Sequence, residues 1–308
     1  MSAVIATSKL SKWYGNVLGL SDVTISIEPG ITGLLGPNGA GKSTFFNLLT
    51  GQLKPSIGSL TIFGEPVRNN SRAFRRIGLC PEQDAFYEEL SGWEFLTNLL
   101  RLQGYGPSEV AAKAEKALGI VELLADKGRV VRSYSHGMRQ RLKFAQAIAH
   151  DPQVVILDEP LNGLDPLGKR KLIRLIKDFG REGRTVLVSS HVLPEIEALT
   201  ADIVLLHHGK ILAVGGIQNI RDLIDTHPHI IAVRSSAPRA LAAHFVGEEY
   251  VLNVHFENSR DSVLFETTNR DRFFERLTRY AAEPAAAVEE VTSPDDNLQA
   301  VFDYLVGT

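Results

Sequence analysis

Residues 36–43 read Gly-Pro-Asn-Gly-Ala-Gly-Lys-Ser, directly after the apolar run Ile31 to Leu35 and directly before Ser43 to Thr50, where apolar residues recur at helical spacing. A strand that stops at a glycine loop and hands over to a helix is the context in which G-x-x-x-x-G-K-[ST] carries meaning. Glycines let successive backbone N–H groups wrap a phosphate without Cβ clashes, and the helix that follows points its positive end at the same oxygens. Lys42 then reaches the terminal phosphates, and the Ser43 hydroxyl ligates Mg²⁺. Gly36, Pro37, Asn38, Gly39, Ala40, Gly41, Lys42, Ser43 and Thr44 are the candidate phosphate-binding residues.

A second motif fits the same chemistry. Val154 to Leu157 is an apolar strand that ends in Asp158 and Glu159, and a carboxylate at the C-terminal end of a parallel strand lies where α/β sheets bind their ligands. Asp158 is placed to hold magnesium and Glu159 to act as general base on an attacking water. Further strands are expected at Val4–Leu10, Val23–Ile27, Ser59–Phe63, Arg76–Cys80, Thr185–Ser189 and Asp202–His207. The near-continuous apolar runs among them suit a sheet buried on both faces. Strand signals vanish between Glu82 and Ser135, which reads as a helical subdomain inserted into the core, with Gly104 to Pro107 as its internal turn.

After Gly215-Gly216 the pattern restarts as strand Ile230–Arg234, helix Pro238–Phe245, strands Tyr250–Phe256 and Ser262–Thr267, helix Asp271–Tyr280 and strand Val288–Thr292. This βαββαβ order is the split βαβ, ferredoxin-like arrangement, and a last helix is expected from about Pro294 to Gly307. Charge marks the same boundary. Residues 1–215 carry 25 Lys and Arg against 21 Asp and Glu, a net +4, whereas residues 216–308 carry 8 against 15, a net −7, and no lysine. The whole chain, at −3, argues against a protein built mainly to bind nucleic acid or an anionic membrane. Cys80 is the single cysteine, so neither an intrachain disulfide nor a cysteine zinc cluster is available, which fits a reducing compartment. No stretch approaches about 18 consecutive apolar residues, and Met1 to Ala6 lacks the order of a signal peptide. His207-His208 and His227-Pro228-His229 have no carboxylate or thiol at ligand spacing, so a structural or solvated role is expected for them.

Tyr134-Ser135-His136-Gly137-Met138, the helical run Arg139 to His150, and Glu159-Pro160-Leu161-Asn162-Gly163-Leu164-Asp165-Pro166 together resemble the signature and D-loop of an ABC-type ATPase, over residues 4–215. The resemblance implies an α/β fold, a P-loop NTPase ABC cassette (1–215) with N-terminal antiparallel strands and a helical subdomain at about 84–135; the βαββαβ pattern adds to it a small C-terminal α+β, ferredoxin-like domain (216–308). It implies that two cassettes sandwich two ATP molecules head to tail, so that Ser135, Gly137 and Asp165 serve the other subunit's nucleotide. A helix dipole at Ser135 would favour a γ-phosphate there. By the same resemblance His191 is the switch histidine, Tyr14 stacks on adenine, and Glu82 or Gln83 joins magnesium to the helical subdomain. The segment Phe86 to Arg132 would dock a coupling helix from a membrane subunit, although its apolar residues equally suit the core of a helical subdomain.

Two positions depart from the family pattern. Tyr134 and His136 stand in the first and third places of a signature usually written Leu-Ser-Gly-Gly, and Glu82 stands in register where the family has glutamine. The expected protein is the ATP-binding subunit of an ABC transporter, with ATP and Mg²⁺ as cofactors. It would work as a homodimer or heterodimer at the cytoplasmic face of the cell membrane, through a separate permease, with export favoured over import. The competing reading is a soluble ABC-type ATPase in DNA repair or translation, whose families carry paired cassettes, coiled coils or Cys-rich insertions that this chain lacks.

Overall fold

Strand β1 (Ile5–Tyr14) runs four residues past the expected end and turns back through Gly15-Asn16 into β2 (Val17–Val23), with Tyr14 paired to Val17. The expected strand Val23–Ile27 is therefore displaced. Most of the strand lies before Val23, and only the short β3 (Ser26–Ile27) remains of it. The two-residue loop closes the hairpin: Gly15 takes φ +58°, the left-handed geometry of a tight turn. The computed structural model describes residues 3–216, 228–256, 261–282 and 288–293, and the chain divides into two units, Met1–Gly216 and Ile217–Thr308.

In the first unit β4 (Gly30–Leu35) leads through the glycine loop into α1 (Lys42–Leu49). Then come β5 (Ile57–Ile62), β6 (Glu65–Pro66), α2 (Ser71–Phe74) and β7 (Ile77–Cys80). The helical insertion holds α3 (Gly92–Leu102) and α4 (Pro107–Ile120), joined by the turn expected at Gly104 to Pro107. A Ser91–Glu94 capping box starts α3, and Pro107 occupies the first turn of α4, so both starts are written locally. The unit continues with α5 (His136–Ile148), β8 (Val154–Leu157), α6 (Pro166–Arg181), β9 (Thr185–Ser190), α7 (Leu193–Glu197), β10 (Asp202–His207) and β11 (Lys210–Gly216).

Two sheets result. The antiparallel one runs β2-β1-β5-β6 with β3 on β1, and the other runs β11-β10-β4-β9-β8-β7, parallel except for the edge strand β11. Phe45, Phe46, Leu48 and Leu49 of α1 belong to a single core that takes Ile5, Leu10 and Leu20 from the antiparallel sheet and Leu34, Ile156, Leu187 and Val204 from the parallel one. The helix that follows the glycine loop is thus wedged between both sheets. Its burial fixes where the loop's N–H groups point.

Gly78 shows how closely α5 lies on the sheet. A Cβ built there would overlap the Ala147 carbonyl oxygen, so β7 and α5 pack backbone against backbone. Gly78→Ala is expected to destabilise the protein by about 3 kcal/mol, because backbone cannot yield as a side chain can. Chemical denaturation measures it, and an unchanged midpoint would contradict the close packing.

In the second unit β12 (His229–Ser235), α8 (Pro238–Phe245), β13 (Val251–Phe256), β14 (Ser262–Thr267), α9 (Arg270–Ala281) and β15 (Val288–Thr292) follow in the expected βαββαβ order. The sheet order β13-β14-β12-β15, antiparallel throughout, is that of the split βαβ arrangement. Ile231, Val233, Val263 and Phe265 face Leu241, Phe245, Phe273 and Leu277 of the two helices. The helix expected from Pro294 to Gly307 lies outside the described residues.

Candidate functional site

Three strands of the parallel sheet end side by side, since β4 pairs β9 and β9 pairs β8. Each hands its next residues to the same spot: β4 the glycine loop, β8 the pair Asp158-Glu159, and β9 His191. In the loop Gly39 and Gly41 take φ +81° and +107°, conformations that L residues rarely adopt and that turn successive N–H groups inward. Gly41 caps α1, so the positive end of the helix opens toward Lys42 and Ser43.

Lys42 and Glu159 are both only 6% exposed, and their charged ends lie 3.1 Å apart. The ammonium also donates to the carbonyls of Gly36 at 2.6 Å and Pro37 at 3.3 Å. Glu159 Oε1 meets it as an ion pair without hydrogen-bond alignment, while Oε2 lies 3.1 Å from His191 Nδ1. Glu159 is one of the few non-glycine residues at positive φ, +47°, a strained conformation that surrounding structure must hold. Lys42, Glu159 and His191, all expected to be catalytic, therefore form one connected chain of charge and hydrogen bonding. His191, 41% exposed, is its solvent end.

Asp158 sits beneath this chain. Burial raises its carboxyl above the ordinary aspartate range and the Glu159 charge adds to that, while hydrogen bonds from Ser189 and Ser43 pull the other way. A hydroxyl and a carboxylate already in contact are the hard oxygen donors Mg²⁺ prefers, so Ser43 and Asp158 fit that ion. Cys80, next to these acids, is inert: burial pushes its thiol up to about 12.

A cleft of about 450 Å³ opens over the cluster, lined by Pro37, Asn38, Gly39, Gly41, Lys42, Ser43, Thr44, Glu82 and Glu159, together with Tyr14, Val17, Leu18 and Gly19. Gly36 and Ala40 support the loop from behind, Gly36 against the Leu206 carbonyl. Tyr14 is 45% exposed, and its hydroxyl lies 3.3 Å from Thr44 Oγ1. Of the two residues left open for the metal, Glu82 lines the cleft and Gln83 does not.

The family profile described as ABC transporter matches residues 20–162. The bacitracin transport ATP-binding protein BcrA of Bacillus licheniformis is 32% identical over 311 residues, spanning 100% of this chain and 98% of its own. The chain belongs to the ABC transporter family. It is an ATP-binding subunit of that family, and ATP hydrolysis is its activity. The BcrA protein of Enterococcus faecalis is 39% identical over 215 residues, 69% of each chain. Among solved structures, an ATP-binding subunit of an ABC transporter is 29% identical with a TM-score of 0.65, covering 72% of this chain and 93% of its own. A dimeric ATP-binding cassette bound to ADP and Pi shares the fold at 23% identity and a TM-score of 0.64, over 69% of this chain and 98% of its own.

Three further residues expected to serve nucleotide in this ABC protein lie outside the cleft. Ser135 is exposed at the start of α5, where its hydroxyl accepts the Met138 N–H, and Gly137 follows in the first turn. Asp165 is exposed and caps α6 through the Gly168 N–H. Within one chain the Ser135 and Asp165 side chains cap their helices, and the contacts of neither reach Lys42 or Glu159. The departures from the family signature have local partners. Tyr134 is buried in the helical subdomain with its hydroxyl on the Asp126 carbonyl, and His136 Nε2 lies 3.1 Å from the Asn162 carbonyl.

Sequence reasoning missed two buried polar residues at this site. Ser189 is 0% exposed and touches both Asp158 and Glu159. Lys143, on α5 and 1% exposed, donates to the Glu82 carbonyl at 2.7 Å and pairs with Asp84 at 3.2 Å, so the helix that begins at Ser135 grips the segment that brings Glu82 to the cleft. The only available signal was a polar residue interrupting an apolar face.

Proposed function

We propose that the chain powers export through a separate membrane permease, hydrolysing ATP inside a nucleotide-clamped dimer at the cytoplasmic face of the membrane. The observation that carries the hydrolysis at the centre of this reading is the Lys42–Glu159–His191 cluster at the cleft, with Ser43 and Asp158 beside it.

Lys42 exchanges Glu159 for phosphate oxygens when ATP enters, and the glycine-loop N–H groups and the dipole of α1 hold the same group. Glu159, released from the ammonium, accepts the proton of a water attacking the γ-phosphate in line. His191 keeps the Glu159 carboxylate turned toward the cleft through its Nδ1 contact. Ser43, Asp158 and Glu82 would hold Mg²⁺, which supplies charge neutralisation on the phosphates. Tyr14 would take the adenine face, being an exposed aromatic in the cleft lining. Ser135, Gly137 and Asp165, presented outward at two helix starts, complete the partner's site. ATP thus closes the pair and hydrolysis reopens it.

Transport is supported by the match to BcrA, a bacitracin transport protein, which runs the full length of the chain and includes residues 216–308. No helix among the described residues is long and apolar enough to cross a membrane. Affinity purification from detergent-solubilised membranes tests this directly. Recovery with a multi-span membrane protein is expected, and recovery with ribosomes or DNA instead would overturn the transport reading.

A further inference from the structure

Ser189 is the fifth residue of β9, a strand whose six residues are all buried. A hydroxyl among Val186, Leu187 and Val188 must find partners, and Ser189 finds two at once. It donates to Asp158 Oδ1 at 2.6 Å and accepts the Glu159 N–H at 2.8 Å. Its neighbour Ser190 points the opposite way, as alternate strand residues do, and bonds Glu195 on α7. One side chain on β9 therefore ties down both residues that follow β8, at the end of the sheet where the glycine loop also opens.

We propose that Ser189 is a positioning residue for ATP hydrolysis, whose hydroxyl holds the Asp158 carboxylate and the Glu159 backbone in the one arrangement that aims both acids into the cleft. Glu159 needs such support because its φ of +47° is a conformation the chain would otherwise relax. Without the hydroxyl its N–H is left buried without the acceptor it has here, and Asp158 loses its short hydrogen bond. A peptide that relaxes at Glu159 swings the carboxylate by an ångström or more, and misplacements of that size cost about a hundredfold in rate. The Ser189 hydroxyl bonds Asp158 and Glu159 and none of the phosphate-binding residues, so nucleotide binding without Mg²⁺ is left intact.

The inference rests on Glu159 being the base, and the experiment separates the two claims. Ser189→Ala in the full chain is expected to lower kcat about ten- to a hundredfold with KM for ATP within about twofold. Binding of a fluorescent ATP analogue without Mg²⁺ should match the wild type. In a Glu159→Gln background, adding Ser189→Ala should cost clearly less than it does alone, because one of the two groups being positioned is already disabled and only the part of the loss that runs through Asp158 remains. A Ser189→Ala protein that keeps kcat within about twofold of wild type overturns the proposal. So does metal-free nucleotide binding that weakens as much as the rate, which marks a general structural defect. An undiminished additional loss on the Glu159→Gln background overturns it too, since Glu159 would then not be one of the groups the hydroxyl holds. If Glu159→Gln alone retains wild-type turnover, it is the base assignment that fails.

Discussion

Glu159→Gln is expected to lower ATP turnover by about two to four orders of magnitude, the range that removal of a positioned general base produces. The substitution keeps size and shape, and the amide retains an oxygen for Lys42 and a polar end for His191, so the cleft stays formed. It removes the negative charge that opposes Lys42 at 3.1 Å, which frees the ammonium for phosphate. ATP binding is therefore expected to persist or tighten while turnover is lost. Single-turnover measurements with labelled ATP separate the two, and turnover near the wild-type rate would remove Glu159 from the base role.

Lys42→Ala is expected to act at the other step. In the proposed complex the lysine makes charge-assisted bonds to the terminal phosphates, each worth about 1.5–3 kcal/mol. Losing two of them weakens ATP binding by at least about a hundredfold, at about 1.4 kcal/mol for each factor of ten. A second consequence follows from the geometry. Lys42 is the cation nearest the buried Glu159 Oε1, so its removal leaves a carboxylate 6% exposed with only the His191 contact at Oε2. Leaving a buried charge unpaired is strongly destabilising. A lowered melting temperature should accompany the lost affinity, and adding Glu159→Gln to Lys42→Ala should restore much of the stability but none of the binding. Equilibrium titration and thermal melts of the two variants read both effects. Unaltered ATP affinity in Lys42→Ala would place the phosphates elsewhere.

These two residues were readable in the sequence because their chemistry demands contiguous neighbours. A phosphate cradle needs glycines, a lysine and a hydroxyl in one turn, and the acids need the end of an apolar strand, so both motifs are local. The second unit was legible for the same reason: each of its strands and helices is bounded by its own turn or cap, such as Asn269 before α9. The hairpin at Gly15-Asn16 was not, because a two-residue turn between modestly apolar strands leaves little pattern. The edge strand β11 was missed because it is only half buried and pairs with one neighbour. Ser189 and Lys143 were invisible for a deeper reason. Each lies at least 30 residues from the group it holds, and nothing in β9 or α5 alone says that a serine or a lysine there will be met by a partner. Asp165 and Ser135 carry a double meaning, as helix caps within the chain and as proposed contacts across a dimer, and only the first is a property of one chain.

The account stands on the claim that nucleotide is held between two such subunits. Size-exclusion chromatography of Glu159→Gln, run with and without ATP and Mg²⁺, measures this most directly because the variant binds ATP without consuming it. The apparent mass is expected to double on adding the nucleotide and metal, and to fall back when Ser135 is also replaced by Arg. A protein that elutes as a monomer at every nucleotide concentration would contradict the shared site and, with it, the clamp-and-release mechanism.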